Sequence, residues 1–327
     1  MYVKICTFAV IKIKIVLNVF RDISSYKPQR PTVLTIGTFD GVHIGHKKII
    51  EKLTTSGRKE DLESVILTFF PHPRMVLQKD TDIKLLNTID EKIQLLEQSG
   101  LDTLIIHPFD KTFSELSAEE FVKQILIDKL NLKKIVIGYD HRFGKNRTAG
   151  IEELIVFGEK YGFEVEQISA QEIDEVSISS TKIRKALDNG EIALANSYLG
   201  YNYFFNAKVV EGKKLGRTIG FPTANLQVSE FYKLIPKTGV YIVEVMLDNK
   251  SFKGMMNIGL NPTVSGHYQT VEVNILDFNQ DIYGKNIQIS LLDKIREEQK
   301  FDSLETLKNQ LTKDKQTTEN YFRKLKR

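Results

Sequence analysis

Cysteine is nearly absent from this 327-residue chain, and Cys6 is the single one. That excludes an intrachain disulfide and any zinc site built on cysteine pairs, and it fits a reducing cytoplasm. Long apolar runs are lacking too. Met1–Phe20 is apolar, but Lys4, Lys12 and Lys14 interrupt it, and its longest uncharged run, Ile5–Ile11, is far too short to span a membrane. No small-residue cleavage site follows, which argues against a secretory signal. An excess of one charge is also missing: the net charge is +4 and the lysines are spread rather than clustered. Neither a nucleic-acid nor a membrane partner is indicated. The composition, 41% hydrophobic and 27% charged, is that of a soluble protein, long enough for two domains with a core each.

The stretch Thr32–His46 organises the first half. A β-branched run ends at Gly37, turns through Asp40-Gly41 and opens into a helical pattern carrying His43-Ile44-Gly45-His46. This reads as a buried strand feeding a helix N-terminus, where free N–H groups and the helix dipole attract phosphate. Three residues apart, the histidines face one side of a helical turn and can donate to charge that develops during transfer. By itself, a His-x-x-His is more often a helix cap or a surface pair. The preceding strand and Gly37-Thr38-Phe39-Asp40-Gly41 turn the balance toward phosphate chemistry. The stretch resembles the signature of the nucleotidyltransferase superfamily.

Ahead of it, Lys12–Ile15 alternates like an edge strand, and the first dozen residues are either an extra strand or the product of an upstream start codon. Behind it, helices are predicted over Gly45–Ser56, Thr88–Ser99, Ser117–Leu130 and Glu152–Tyr161. Strands are predicted over Ser64–Phe70, Thr103–His107, Lys134–Gly138 and Phe163–Ile168. The alternation predicts a parallel, Rossmann-like α/β sheet with ligands at the strands' carboxyl ends. Three loops fall there. Phe70-Pro71-His72-Pro73-Arg74 offers a rigid wall for a flat ring, and Tyr139–Arg147 supplies Asp140, Arg142, Lys145 and Arg147. Ser179-Ser180-Thr181 caps a further helix carrying Lys182 and Arg184.

Leu187–Leu199 reads as one helix leading out of the sheet. Short strands follow at Tyr203–Val210, Gly239–Leu247, Lys250–Ile258, Thr270–Phe278 and Asn286–Leu292, a pattern expected of a small antiparallel barrel, with a helix from Ser303. Glycines 212, 216 and 220 with Lys213 suit a phosphate-covering loop. Thr223 and Asn225 alternate, so both can present oxygen to one Mg²⁺. Thr270–Ile275 alternates strictly, which puts Glu272 on the polar face.

In order and spacing, these motifs resemble bacterial bifunctional riboflavin kinase/FAD synthetases. G-T-F-D-G-V-H-I-G-H, F-P-H-P, G-Y-D-H-R-F-G-x-x-R and I-S-S-T-K-I-R match the FAD synthetase module over Thr32–Leu187. G-R-x-I-G-F-P-T-A-N, Gly254-x-x-Asn257-Ile258-Gly259 and the V-E-V strand match riboflavin kinase over Gly200–Phe301. The chain departs from the family at Thr38, where asparagine is common, and at His141, where phenylalanine is.

The resemblance implies an FAD synthetase domain over 16–187, a linker over 188–200 and a riboflavin kinase barrel over 201–327. It implies phosphorylation of riboflavin to FMN by ATP, then adenylylation of FMN to FAD by a second ATP with release of pyrophosphate. Glu272, His43 and His46 would be catalytic. ATP for adenylylation would meet Gly37, Thr38, Phe39, Asp40, His43, His46, Asp140, Arg147, Ser179, Ser180, Thr181 and Arg184. The kinase's ATP would meet Lys213, Gly216, Gly220, Pro222, Thr223 and Asn225, with Mg²⁺ at the last two. Flavin would meet Phe70, Pro71, His72, Asn257 and Arg296. A cytoplasmic monomer or weak homo-oligomer is expected.

Two other enzymes share part of the pattern. A class I aminoacyl-tRNA synthetase would need an anticodon-binding domain, and a lone cytidylyltransferase would not need the second half. A flavin-binding regulator that kept only the fold is the non-enzymatic alternative.

Overall fold

Runs of β-branched and aliphatic residues without a polar face make strands that must be covered on both sides. Such runs recur between Thr32 and Gly138, and in the computed structural model they lie in one parallel sheet, with the more polar Glu164–Ile168 strand at one edge. The structure describes residues 16–77, 83–138, 141–169, 178–212, 215–263 and 266–325. The strands are β1 (Asn18–Phe20), β2 (Thr32–Ile36), β3 (Glu63–Phe69), β4 (Thr103–His107), β5 (Leu132–Gly138) and β6 (Glu164–Ile168), in the order β1-β4-β3-β2-β5-β6. All five residues of β2 are buried. Leu34, Ile36, Val65, Leu67, Ile105, Ile135 and Ile137 form the core with Phe121, Leu126 and Leu130. The Thr88 and Ser117 capping boxes form as read. Strand β1 is an edge strand paired with β4; the predicted Lys12–Ile15 strand lies outside the described residues, as do Asp140 and Lys213.

The second half closes into a six-stranded barrel of β7 (Phe204–Val210), β8 (Ala224–Gln227), β9 (Gly239–Leu247), β10 (Lys250–Thr263), β11 (Gly266–Ile275) and β12 (Asn286–Arg296). Alternation decides its interior: Val271, Val273 and Ile275 join Phe205, Tyr241 and Met256 in the core, and Glu272 faces away from them. Ser303 caps the final helix, Leu304–Lys324, as predicted.

Two expectations are corrected. The single helix over Leu187–Leu199 is two, Ser180–Asn189 and Ile192–Leu199, because Gly190 ends the first in the left-handed region at φ 77°. Length and apolar pattern were continuous there, and the stop depended on one glycine. The second concerns cores. The sequence placed His43 and His46 with the sheet, apart from the barrel's core. The chain forms two compact units, and the described residues of 39–48 and 74–92 belong to the same unit as those of 178–325. Leu86, Ile183, Ala186 and Leu187 share the barrel's hydrophobic cluster.

Candidate active sites

The loop from Phe39 to His46 is wound tightly. Phe39 and Val42 have positive φ, 45° and 36°, and Gly41 has φ 89°. The positive φ favours glycine at 41, and a Cβ there would lie 2.6 Å from Leu86 Cδ1 and force that side chain to shift. The loop delivers the two imidazoles face to face, with centroids 3.6 Å apart and planes at 19°, and Phe39 stands 5.0 Å from His46. The His46 backbone N–H donates to His43 Nδ1 at 3.4 Å, which leaves the His43 proton on Nε2. His46 Nδ1 is sealed from solvent without a hydrogen-bond partner. Burial, opposed by Asp40, pushes the His43 pKa down to about 4. Burial, helped by His43 and Lys92, holds His46 well below its ordinary value. Both rings are therefore neutral at pH 7, able to donate or accept but carrying no charge.

Asp40 is buried, and its carboxylate is enclosed by protein donors. The N–H groups of Leu86 (2.9 Å) and Asn87 (3.4 Å) donate to Oδ1, and the Arg184 guanidinium donates to Oδ2. Ser180 Oγ donates to the Asp40 carbonyl at 2.9 Å, and Tyr201 OH donates to the Gly41 carbonyl at 2.7 Å. Ser179 caps its helix by accepting from the Lys182 N–H, while Thr181 is exposed beside it. The structure thus brings Asp40, His43, His46, Ser180 and Arg184 together around two helix N-termini. Lys92 is an addition that sequence reasoning missed. Burial lowers its pKa to about 8, against the pull of Asp40, and only its place next to the capping-box Glu91 could have marked it.

The sheet unit carries the other loops. Gly37 N–H donates to the Leu67 carbonyl at 3.1 Å, and the Thr38 carbonyl accepts from Thr68 Oγ1 at 3.3 Å. Phe70, Pro71 and His72 follow β3 directly, and Phe70–Pro71 is a cis peptide. Near β3, Phe69, Phe109 and Phe113 meet edge to face or tilted, with centroids 5.5–5.8 Å apart. Arg147 is exposed, in a turn where Asn146 and Arg147 both take positive φ.

In the barrel, Glu272 pairs with Asn225 across β11 and β8 and with Asn257 across β11 and β10. Thr223 Oγ1 donates to Glu272 Oε2 at 3.1 Å. These four line a cavity of about 310 Å³ with Gly216 and Arg296. The Arg296 guanidinium is held by the buried Asp314 carboxylate at 2.8–3.1 Å and lies 5.6 Å from the Phe301 ring. A second cavity, about 420 Å³, is bounded by Gly220, Pro222, Phe278, Asn279 and Lys315. Asp314 and Phe278 were not singled out from sequence; a carboxylate inside a polar helix has no local signature. Leu215–Thr218 forms a single helical turn within the glycine-rich loop.

The FAD synthetase family model matches residues 25–182, and the riboflavin kinase model matches residues 199–322. A bifunctional riboflavin kinase/FMN adenylyltransferase of Escherichia coli K12 is 40% identical over 299 residues, covering 91% of this chain and 95% of the relative. The chain belongs to the bifunctional riboflavin kinase/FMN adenylyltransferase family. The Bacillus subtilis member is 37% identical over 305 residues, covering 91% of this chain and 95% of its own length. Among solved structures, a Streptococcus pneumoniae protein described as a macrolide-efflux protein superposes with a TM-score of 0.86. It is 33% identical, covering 94% of this chain and 99% of that one. Among the described residues, no helix of this family member is long and apolar enough to cross a membrane.

Proposed function

We propose that the chain phosphorylates riboflavin to FMN in its barrel and adenylylates FMN to FAD with the residues of the histidine loop. The observation that carries this reading is that each half is matched by its own family model, FAD synthetase over 25–182 and riboflavin kinase over 199–322.

In the barrel, Glu272 accepts the proton of the riboflavin 5′-hydroxyl as that oxygen attacks the γ-phosphorus of ATP and ADP leaves. Asn257 and Arg296 hold the flavin. Lys213, Gly216, Gly220 and Pro222 hold the nucleotide. Thr223 and Asn225 offer neutral oxygens within one cavity. That donor set fits Mg²⁺, which takes few protein ligands and completes its shell with phosphate and water. Bound there, Mg²⁺ would supply charge neutralisation for the phosphates.

Adenylyl transfer needs no base, because the FMN phosphate is already an anion. It attacks the α-phosphorus, the bond to the β-phosphate bridge breaks, and pyrophosphate departs. His43 and His46 donate to the developing charge, and Ser179, Ser180 and Thr181 stand at a helix N-terminus suited to phosphate. Asp40 and Arg184 are assigned to this ATP by family resemblance, and their ion pair also shapes the loop. Gly37, Thr38, Phe39, Asp140 and Arg147 are assigned to the same ATP by family resemblance, and Phe70, Pro71 and His72 to the flavin. The division into 16–187, 188–200 and 201–327 is proposed as a division by motif, close to the family spans 25–182 and 199–322 and distinct from the two compact units. A cytoplasmic enzyme, monomeric or weakly self-associating, follows from the same reading.

The test is direct. The protein is incubated with riboflavin, Mg²⁺ and ATP labelled at the α or the γ position, and the flavins are separated. The reading expects γ-label in FMN and both labels in FAD when both ATPs are used. Flavin binding without any labelled product would leave a binding protein instead.

A further inference from the structure

Lys233 lies wholly buried within the second unit, and each of its three ammonium protons has an acceptor. These are the Leu86 carbonyl at 2.6 Å, a Glu91 carboxylate oxygen at 2.6 Å and the Phe204 carbonyl at 2.8 Å. Glu91 is as fully buried. Besides Lys233, its carboxylate accepts the Thr88 N–H at 2.9 Å and the Asn206 N–H at 3.0 Å. The backbones alongside are stitched together: Leu85 N–H donates to the Tyr232 carbonyl at 2.6 Å, and Leu234 N–H donates to the Leu85 carbonyl at 2.8 Å. Residues 85–91 are thereby fixed to β7 and to the stretch 232–234.

The same residues grip the histidine loop from their other side. Leu86 and Asn87 N–H groups donate to Asp40, the Asn87 side chain meets Tyr201 OH, and that hydroxyl donates to the Gly41 carbonyl. Leu86 is therefore held at its carbonyl by Lys233 and at its N–H by Asp40, three residues before His43. A buried ion pair is a poor source of stability compared with apolar packing, but it fixes geometry through directional bonds. Catalysis by His43 and His46 depends on such placement.

We infer that Lys233 is a positioning residue for FMN adenylylation: through Leu86 and Glu91 it fixes Asp40, and so the loop carrying His43 and His46. The inference rests on reading that loop as the adenylyl-transfer site. Because Lys233 lies outside both the barrel's cavities and the histidine loop, its loss should separate the two activities.

The experiment uses the full chain with Lys233→Met, and with Lys233→Met combined with Glu91→Gln, which removes both buried charges and keeps an acceptor. FAD formation is measured with FMN and ATP, and phosphorylation with riboflavin and ATP. Displacement of a reacting group by about 1 Å costs about 10²-fold, so kcat for FAD formation is expected to fall about 10- to 100-fold. KM for FMN and ATP should stay within about threefold, because substrate binding is left in place while the chemical step suffers. Riboflavin phosphorylation is the internal control and should hold. The double variant should regain the wild-type melting temperature without regaining FAD formation. Undiminished FAD formation in Lys233→Met overturns the inference. So does a double variant that recovers FAD formation with its fold, or one that loses both activities. Absence of FAD from the unaltered chain would instead defeat the reading of the loop.

Discussion

The imidazoles of His43 and His46 stack 3.6 Å apart, with their planes at 19°. Two rings this close cannot both take a proton cheaply, and burial already holds His43 down to about 4 and His46 well below its ordinary range. Both rings are therefore neutral near pH 7. That neutrality has consequences for stability, for rate and for what replaces either ring.

The first consequence is for stability. An unfolded histidine titrates near 6.5, above the folded value of His43, so the unfolded chain binds more protons in between. The contribution is complete above about pH 6.5 and is lost as pH falls through about 4. Replacing His43 by Asn removes this dependence. The stability gap between wild type and His43→Asn, measured by urea unfolding, should shrink between pH 6.5 and 4.5. A gap that does not change with pH would contradict the assignment.

On the proposed reading, His46→Ala removes one transition-state donor. Loss of such a donor costs about 10²–10³ in rate. FAD formation from FMN should fall by that much, with riboflavin phosphorylation undisturbed. Retained FAD formation would make His46 a packing residue beneath Phe39.

Arg184→Ala strips the buried Asp40 carboxylate of its cation and leaves it two backbone donors. Breaking a buried pair costs about 3–5 kcal/mol, and the remaining N–H groups place this one near the lower end, at about 3 kcal/mol. Urea titration reads it. Arg184→Ala combined with Asp40→Asn should recover part of the loss, and no recovery would mean that Arg184 matters through packing alone.

Asp314→Asn weakens the forked hold on Arg296. A hydrogen bond to a charged group is worth about 1.5 kcal/mol or more, roughly tenfold in binding. KM for riboflavin should rise by about that factor, with kcat and FAD formation from FMN little changed. An unchanged KM would remove Arg296 from the flavin site.

Much of this was legible in the chain. Thr32–Ile36, Thr103–His107 and Gly239–Leu247 announce themselves by β-branched, apolar runs, and Ser117-x-x-Glu120 by its capping box. The strict alternation over Thr270–Ile275 put Glu272 on the correct face. The second helix break was missed because only Gly190 signals it. Lys233 and Glu91 were missed for a different reason. They meet across 142 positions in sequence, and nothing local to either one reports it. Thr88-x-x-Glu91 was readable as a helix start, which it is, yet the carboxylate's second duty toward Lys233 and Asn206 arises only from tertiary packing.

If one chain carries two phosphoryl chemistries on separate residues, Glu272→Gln separates them. The substitution keeps size and hydrogen bonding but removes the proton acceptor, a role worth about 10²–10⁴-fold. Flavins are followed by chromatography with riboflavin, and separately FMN, as substrate in the presence of Mg²⁺ and ATP. FMN formation from riboflavin should fall by that factor while supplied FMN is converted to FAD at the wild-type rate. Riboflavin phosphorylation at the wild-type rate in a folded Glu272→Gln protein would contradict it.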